Sequence, residues 1–232
     1  MNMMRELFDA ETISIISLTM RMTLTSTAIS AMLGIPAGLM LAHTRPAFWL
    51  LRFFKRLVVG INRTLMATPP VVAGLVVWML FRRGGPFGEM GLVLTFEGMV
   101  LAQTLLITPI ICGIVYTAAD RHIERIQAFA HTMGATKLQT HMLVMKELSN
   151  EFFFSVATGF GRAMSEVGAI MLVGGNIRGH TRTMNTAIVM MHRQGGFEQA
   201  LLFGAILMII AFSVQMLADF LHVRERRVDE NF

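Results

Sequence analysis

Of the 232 residues, 54% are hydrophobic and only 15% are charged, with a net charge of +5. Soluble domains carry about 25% charged residues, and several apolar stretches here reach the roughly 20 residues a helix needs to cross a hydrocarbon core of about 30 Å. The composition excludes a soluble enzyme or binding domain and predicts an all-α integral membrane protein seated in lipid. The positive balance does not make a nucleic-acid surface, because the basic residues lie mostly between apolar spans rather than on one solvated face. Cys112 is the single cysteine, so no intramolecular disulfide is possible, and its apolar setting reads as packing.

In chain order, residues 1–11 hold one arginine against three carboxylates. A cleaved secretory signal begins basic, so the first span, 13–41, is expected to stay in the protein. It stops at His43, Thr44, Arg45 and Pro46. Residues 46–63 mix aromatic and basic side chains and predict a short helix along the interface, with Trp49 at headgroup level. The second span, 65–81, opens on Thr68-Pro69-Pro70 and is expected to be broken or kinked there. Residues 82–91 read as a loop, and a third span covers 98–119, with a kink near Pro109. The stretch 120–150 predicts a water-facing helical hairpin dividing at Gly134. A fourth span runs 152–173, a loop 174–183, a short apolar helix follows, and a fifth span covers 197–221 before a charged tail.

Lys and Arg set the orientation. Segments 43–63, 120–150 and 222–232 hold twelve of the 20; segments 1–12, 82–97 and 174–196 hold six, and Arg21 and Arg162 lie inside spans. The bias predicts five spans with the N-terminus outside and the C-terminus cytoplasmic.

The chain carries no energy-coupling or hydrolytic motif. A phosphate-cradling P-loop needs Gly-Lys before Ser or Thr, and Lys55, Lys137 and Lys146 follow Phe, Thr and Met. There is no HExxH and no GxSxG, and neither the histidines nor the 21 methionines are spaced as metal ligands, so no catalytic residue and no metal are expected. Arg162 and Glu166 are four apart on the fourth span, which puts them on one helix face. Ionisable residues at that depth line a pathway or neutralise one another structurally; both readings stay open. Arg21 lies nearer a helix end and is expected to snorkel to the interface.

Residues 128–147, AFAHTMGATKLQTHMLVMKE, resemble the cytoplasmic coupling loop of ABC importer permeases, EAA-x3-G-x9-I-x-L-P. Aligned on Gly134, Ala128, Phe129 and Ala130 stand at E-A-A, Ala135 follows the glycine, and Val144 stands at the Ile. Ala128 replaces the glutamate, and Lys146-Glu147 replaces Leu-Pro. Residues 161–188, GRAMSEVGAIMLVGGNIRGHTRTMNTAI, are similar to the signature of the molybdate, sulfate and tungstate branch, R-A-x-[GS]-E-[FV]-G-A followed by G-N-x-x-G-x-T-x-T, and are most like the tungstate-type permeases. Residues 68–74 resemble the proline-rich opening of that branch's next span.

The resemblance implies a type I importer permease in the bacterial or archaeal cytoplasmic membrane. It would carry a tetrahedral oxyanion, with tungstate ahead of molybdate and sulfate. It implies a homodimer with the pathway at the subunit interface, two ATP-binding cassette subunits that bind ATP and Mg, and an extracytoplasmic oxyanion-binding protein. Residues 128–130, Gly134, Ala135 and Val144 would couple to the ATPase; Arg162, Glu166, Asn176, Thr181 and Thr183 would line the pathway or gate. A high-affinity cage would trap the anion, since conduction needs weak sites. The rival is an ion-coupled secondary transporter, which commonly shows internal repeats and midplane carboxylates.

Overall fold

A computed structural model describes residues 10–44 and 48–229, with side chains to residue 217. Arg45 and Pro46, part of the expected stop of the first span, lie outside the described residues, as do residues 1–9 and the last three of the tail.

Among the described residues there is no strand. The helices are α1 (Ala10–His43), α2 (Trp49–Met66), α3 (Pro70–Phe81), α4 (Phe96–Thr132), α5 (Lys137–Glu147), α6 (Ser149–Met164), α7 (Gly168–Gly174), α8 (Met184–Arg193) and α9 (Phe197–Asp229). Three are long and apolar enough to cross a membrane: α1, α4 and the Phe197–Leu217 part of α9. The number rises to five if α2 with α3, and α6 with α7, each count as one broken span.

Four boundaries differ from the sequence reading. Leu65 and Met66 finish α2, and the next helix begins only at Pro70, because Pro69 caps it in extended backbone and Pro70 needs no amide partner in the first turn. At 12 residues α3 spans only about 18 Å and cannot cross alone. The third span and the first half of the hairpin are one 37-residue helix, α4, with Pro109 inside it. The fourth span is two helices separated at residues 165–167. Finally, the last helix continues through most of the expected tail, to Asp229.

The chain forms two compact units. Among the described residues, the first comprises 10–29, 68–107 and 160–215. Its core gathers Ile15 from α1, Phe160 and Met164 from α6, Met184 and Ala187 from α8 and Phe203 from α9. A second cluster buries Val77 of α3 against Ala102 and Leu106 of α4 and Ala169 and Val173 of α7.

The other unit comprises, among the described residues, 30–44, 48–67, 108–159 and 216–229. Here Val144 of α5 and Leu148, which caps it, pack against Ala119 and Ile123 of α4 and Ala42 of α1. The amphipathic α2 buries no residue fully. It is tied to α4 by Asn62, whose Nδ2 donates to the Pro109 carbonyl at 3.1 Å, and by Lys55, 3.6 Å from Asp120. In this unit α1 meets α4 across Gly34 and Gly38, a glycine pair four apart that lets two membrane helices approach closely. A Cβ on Gly38 would lie 2.7 Å from the Cys112 carbonyl oxygen and 2.9 Å from Val115. Gly38→Leu is therefore expected to cost about 1–3 kcal/mol through overpacking and to lower the melting temperature of the purified protein. Gly60→Leu, where a Cβ meets nothing within 4 Å, should leave it unchanged.

Candidate functional site

The break between α6 and α7 is where buried polar groups collect in the first unit. Non-helical backbone at membrane depth is tolerated only if its freed amides and carbonyls find partners in the protein. Asn185 of α8 supplies two: its Nδ2 donates to the Met164 carbonyl at 2.7 Å and to the Glu166 carbonyl at 2.9 Å. Gln103 of α4 donates to the Ala163 carbonyl at 2.8 Å, and Ser26 of α1 donates to the Gln103 Oε1 at 2.6 Å. All three side chains are buried.

Glu166 is 2% exposed and lies inside the break, not on a helix face shared with Arg162 as the spacing predicts. The pair forms nevertheless, with Arg162 Nη1 3.3 Å from Glu166 Oε2. The other carboxylate oxygen, Oε1, accepts from the Ala169 amide at 3.0 Å and so satisfies an otherwise unpaired donor in the first turn of α7. That local bond adds to the remote ones from Asn185 and Gln103: the carboxylate offers the next helix a cap in place of a continued ladder. The Arg162 side chain remains 33% exposed, so the pair joins a buried anion to a cation that reaches the edge of the fold.

Three further sequence candidates lie in the loop after α7. Asn176 takes a positive φ of 55°, beside Gly175 at 68°, and its Oδ1 is buried without a hydrogen-bond partner. The Thr181 hydroxyl is committed to the loop itself, donating to the Gly174 carbonyl and accepting from the Ile177 amide at 2.9 Å. Thr183 caps α8: its Oγ1 accepts from the Thr186 amide, and Thr186 Oγ1 accepts from the Thr183 amide at 3.0 Å. Both threonines are buried. Both hydroxyls are engaged within the loop and the start of α8.

The hairpin candidates lie in the second unit. Gly134 has φ of 72°, and the turn around it closes α4 with two bonds, from the Gly134 amide to the His131 carbonyl at 3.0 Å and from the Ala135 amide to the Ala130 carbonyl at 2.9 Å. Thr136 then starts α5 with a capping box to Gln139, legible in the sequence as T-x-x-Q. Ala130 and Val144 point into the core and are buried, whereas Ala128 is exposed and Phe129 is 59% exposed. Met133, Leu138 and Met142 are exposed on the same hairpin, an apolar surface left uncovered among the described residues. Beside it a cavity of 980 Å³ opens between the end of α1 and the hairpin, with His43, His131 and His141 in its walls. Among the described residues no group of three His, Cys, Asp or Glu is placed to hold a metal ion.

Sequence reasoning missed Ser26, Gln103 and Asn185, which hold the break open, and the buried hydroxyls of Thr19, Thr23 and Thr27 on α1. A three-to-four-residue recurrence of Ser and Thr within an apolar helix was the available signal for the α1 group. It also missed Arg178 and Arg182, both bonded to Glu11. Arg21 is exposed, with its guanidinium 5.8 Å from the centre of the Phe96 ring.

Residues 34–227 match the family described as the binding-protein-dependent transport system inner membrane component. The chain is 39% identical over 207 residues to the tungstate uptake system permease protein TupB of Peptoclostridium acidaminophilum, covering 89% of this chain and 88% of that protein. It is 33% identical to a probable anion ABC transporter permease protein of Haloferax volcanii, covering 88% of each. The molybdenum transport system permease protein ModB of Azotobacter vinelandii is 28% identical, over 72% of this chain and 77% of its own length.

Proposed function

We propose that this chain, which belongs to the inner membrane components of binding-protein-dependent transport systems, is the permease subunit of an ATP-driven importer for a tetrahedral oxyanion, with tungstate as its first substrate and molybdate next. The observation that carries the substrate class is the 39% identity to a tungstate permease across 89% of the chain.

The physical features support the division of labour. With no P-loop of its own, the chain takes its energy from a partner ATPase that binds ATP and Mg. The hairpin's uncovered apolar residues, Phe129, Met133, Leu138 and Met142, give that partner a surface to grip. Two copies of the chain form the working permease, with the pathway at their interface. The broken fourth span, with Glu166 buried beside Arg162, is the polar element nearest the permeating anion. ATP-driven closure of the ATPases draws the two hairpins together and opens the pathway outward; hydrolysis returns it inward. The Lys and Arg distribution supports an N-terminus outside and the hairpin in the cytoplasm. A cysteine at Gln139 should accordingly label only from the cytoplasmic side and one at Arg83 only from outside.

The test of function is cellular. Cells producing this permease with its ATPase and its extracytoplasmic binding protein should accumulate tungsten from dilute medium, measured by elemental mass spectrometry. Deleting the permease alone should abolish the accumulation. Equal tungsten content with and without it would refute the proposal.

A further inference from the structure

The helix α2 buries no residue fully, yet its side chains are sorted around its axis. One line, Lys55, Asn62 and Met66, is half-buried and faces α4: Lys55 lies beside Asp120, Asn62 donates to the Pro109 carbonyl, and Met66 packs over Gly113. The next line carries charge. Arg52, Arg56 and Arg63 are exposed, at a spacing that puts them on one stripe. The remaining arc is apolar and exposed, with Leu50, Phe54, Leu57, Ile61 and Leu65 at helical spacing. Between stripe and arc lies a groove of 390 Å³ whose walls, Arg56, Leu57, Gly60, Ile61, Thr64 and Leu65, all belong to α2 itself. Gly60 has no left-handed backbone, and a Cβ there would meet nothing within 4 Å, so neither a turn nor close packing calls for glycine. Glycine in mid-helix weakens the helix. What it leaves here is an open groove beside an arginine.

We infer that this groove binds an anionic phospholipid, with the phosphate at Arg56 and Arg63 and an acyl chain along Gly60, Ile61 and Leu65. Charge and polarity together select the occupant. A basic stripe alone suits any soluble anion, and an apolar arc alone suits any lipid or a second copy of the chain. Set side by side along one helix, they match a molecule that is anionic at one end and hydrocarbon at the other. The planar guanidinium forks suit phosphate oxygens. Lys55 and Asn62 tie α2 to α4, so a lipid held on α2 also braces the helix that runs on into the hairpin. The inference concerns the lipid partner of α2 and does not depend on what the permease carries.

The sequence supplies the reporter, because its two tryptophans are Trp49 and Trp78. Trp49 is 78% exposed and stands seven residues before Arg56 and eleven before Gly60, on the same side of α2. The experiment uses the full-length permease with Trp78→Phe in phosphatidylcholine vesicles, where brominated lipid quenches Trp49 fluorescence on contact. At equal low mole fraction, brominated phosphatidylglycerol should quench about fivefold more effectively than brominated phosphatidylcholine, and added salt should narrow the gap. Arg56→Gln with Arg63→Gln should bring phosphatidylglycerol down to the phosphatidylcholine level. Gly60→Leu, which fills the groove without a clash, should weaken its quenching as well. Equal quenching by the two lipids before any change to α2, or a preference that survives the arginine double variant, overturns the inference. Quenching by neither lipid also overturns it, since protein would then cover the face. Loss of the preference on adding soluble glycerol phosphate at matched ionic strength overturns it too, by assigning the arginines to a dissolved phosphate. A permease complex that moves no oxyanion would sink the transport reading and leave this readout intact.

Discussion

Arg162→Met combined with Glu166→Gln should leave the permease inserted and assembled but without oxyanion flux. The two single variants are expected to assemble poorly as well as transport poorly. Removing Arg162 alone leaves a carboxylate that is 2% exposed with no cation, and breaking a buried pair from one side costs about 3–5 kcal/mol. The partly exposed guanidinium screens some of that cost, so the lower end applies. Glutamine is the informative replacement at 166 because its amide oxygen can still accept from the Ala169 amide, as Glu166 Oε1 does at 3.0 Å. Methionine there would remove the cap of α7 together with the charge, confusing structure with function. Complex yield in detergent and reconstituted uptake, measured on both singles and the double, separate the readings. A double variant with near-normal flux would make the pair purely structural.

Gly134→Trp should abolish both transport and ATPase association while the permease inserts normally. A Cβ at this position meets nothing within 4 Å, so the ring projects away from its own chain and toward whatever docks on the hairpin. The positive φ of 72° adds local strain of about 1–2 kcal/mol for any side chain lacking the short polar groups that tolerate it. Gly134→Asn separates the two effects, since asparagine adopts this backbone readily and adds little bulk; it should keep both the hairpin and the coupling. Co-purification of the ATPase with each variant, beside its uptake rate, provides the readout. Normal association by the tryptophan variant would move the coupling surface elsewhere.

What could be read from the residues was what local pattern determines. The apolar stretches on α1, α4 and α9 are long enough to identify themselves, and the proline pair at 69–70 marked the break before α3. The resemblance drawn from residues 128–147 and 161–188 is matched by the family assignment across residues 34–227. The break in the fourth span was illegible because its causes are remote. Residues 152–173 look like one apolar helix, and what opens it comes from Asn185 on α8 and Gln103 on α4, with Glu166 offering a local cap. For the same reason the local bonds of Thr181 and Thr183, within their own loop and helix start, were not legible either. The continuity of α4 past residue 119 follows from a lack of any breaker before Gly134; the change from apolar to charged composition marks the end of the apolar stretch, not the end of a helix. Arg178 and Arg182 entered the sequence reading only as loop charges, because their partner Glu11 is separated by more than 160 residues, |i−j| being 167 and 171.

The most direct measurement of the central claim is tungstate accumulation inside proteoliposomes that hold this permease with its ATPase, supplied with the loaded binding protein outside and ATP at the ATPase face. Uptake should proceed against a tungstate gradient, stop when ATP is replaced by a non-hydrolysable analogue, and be reduced by excess molybdate more than by excess sulfate. Accumulation that continues without ATP and follows an imposed ion gradient would contradict the account and make the chain a secondary transporter.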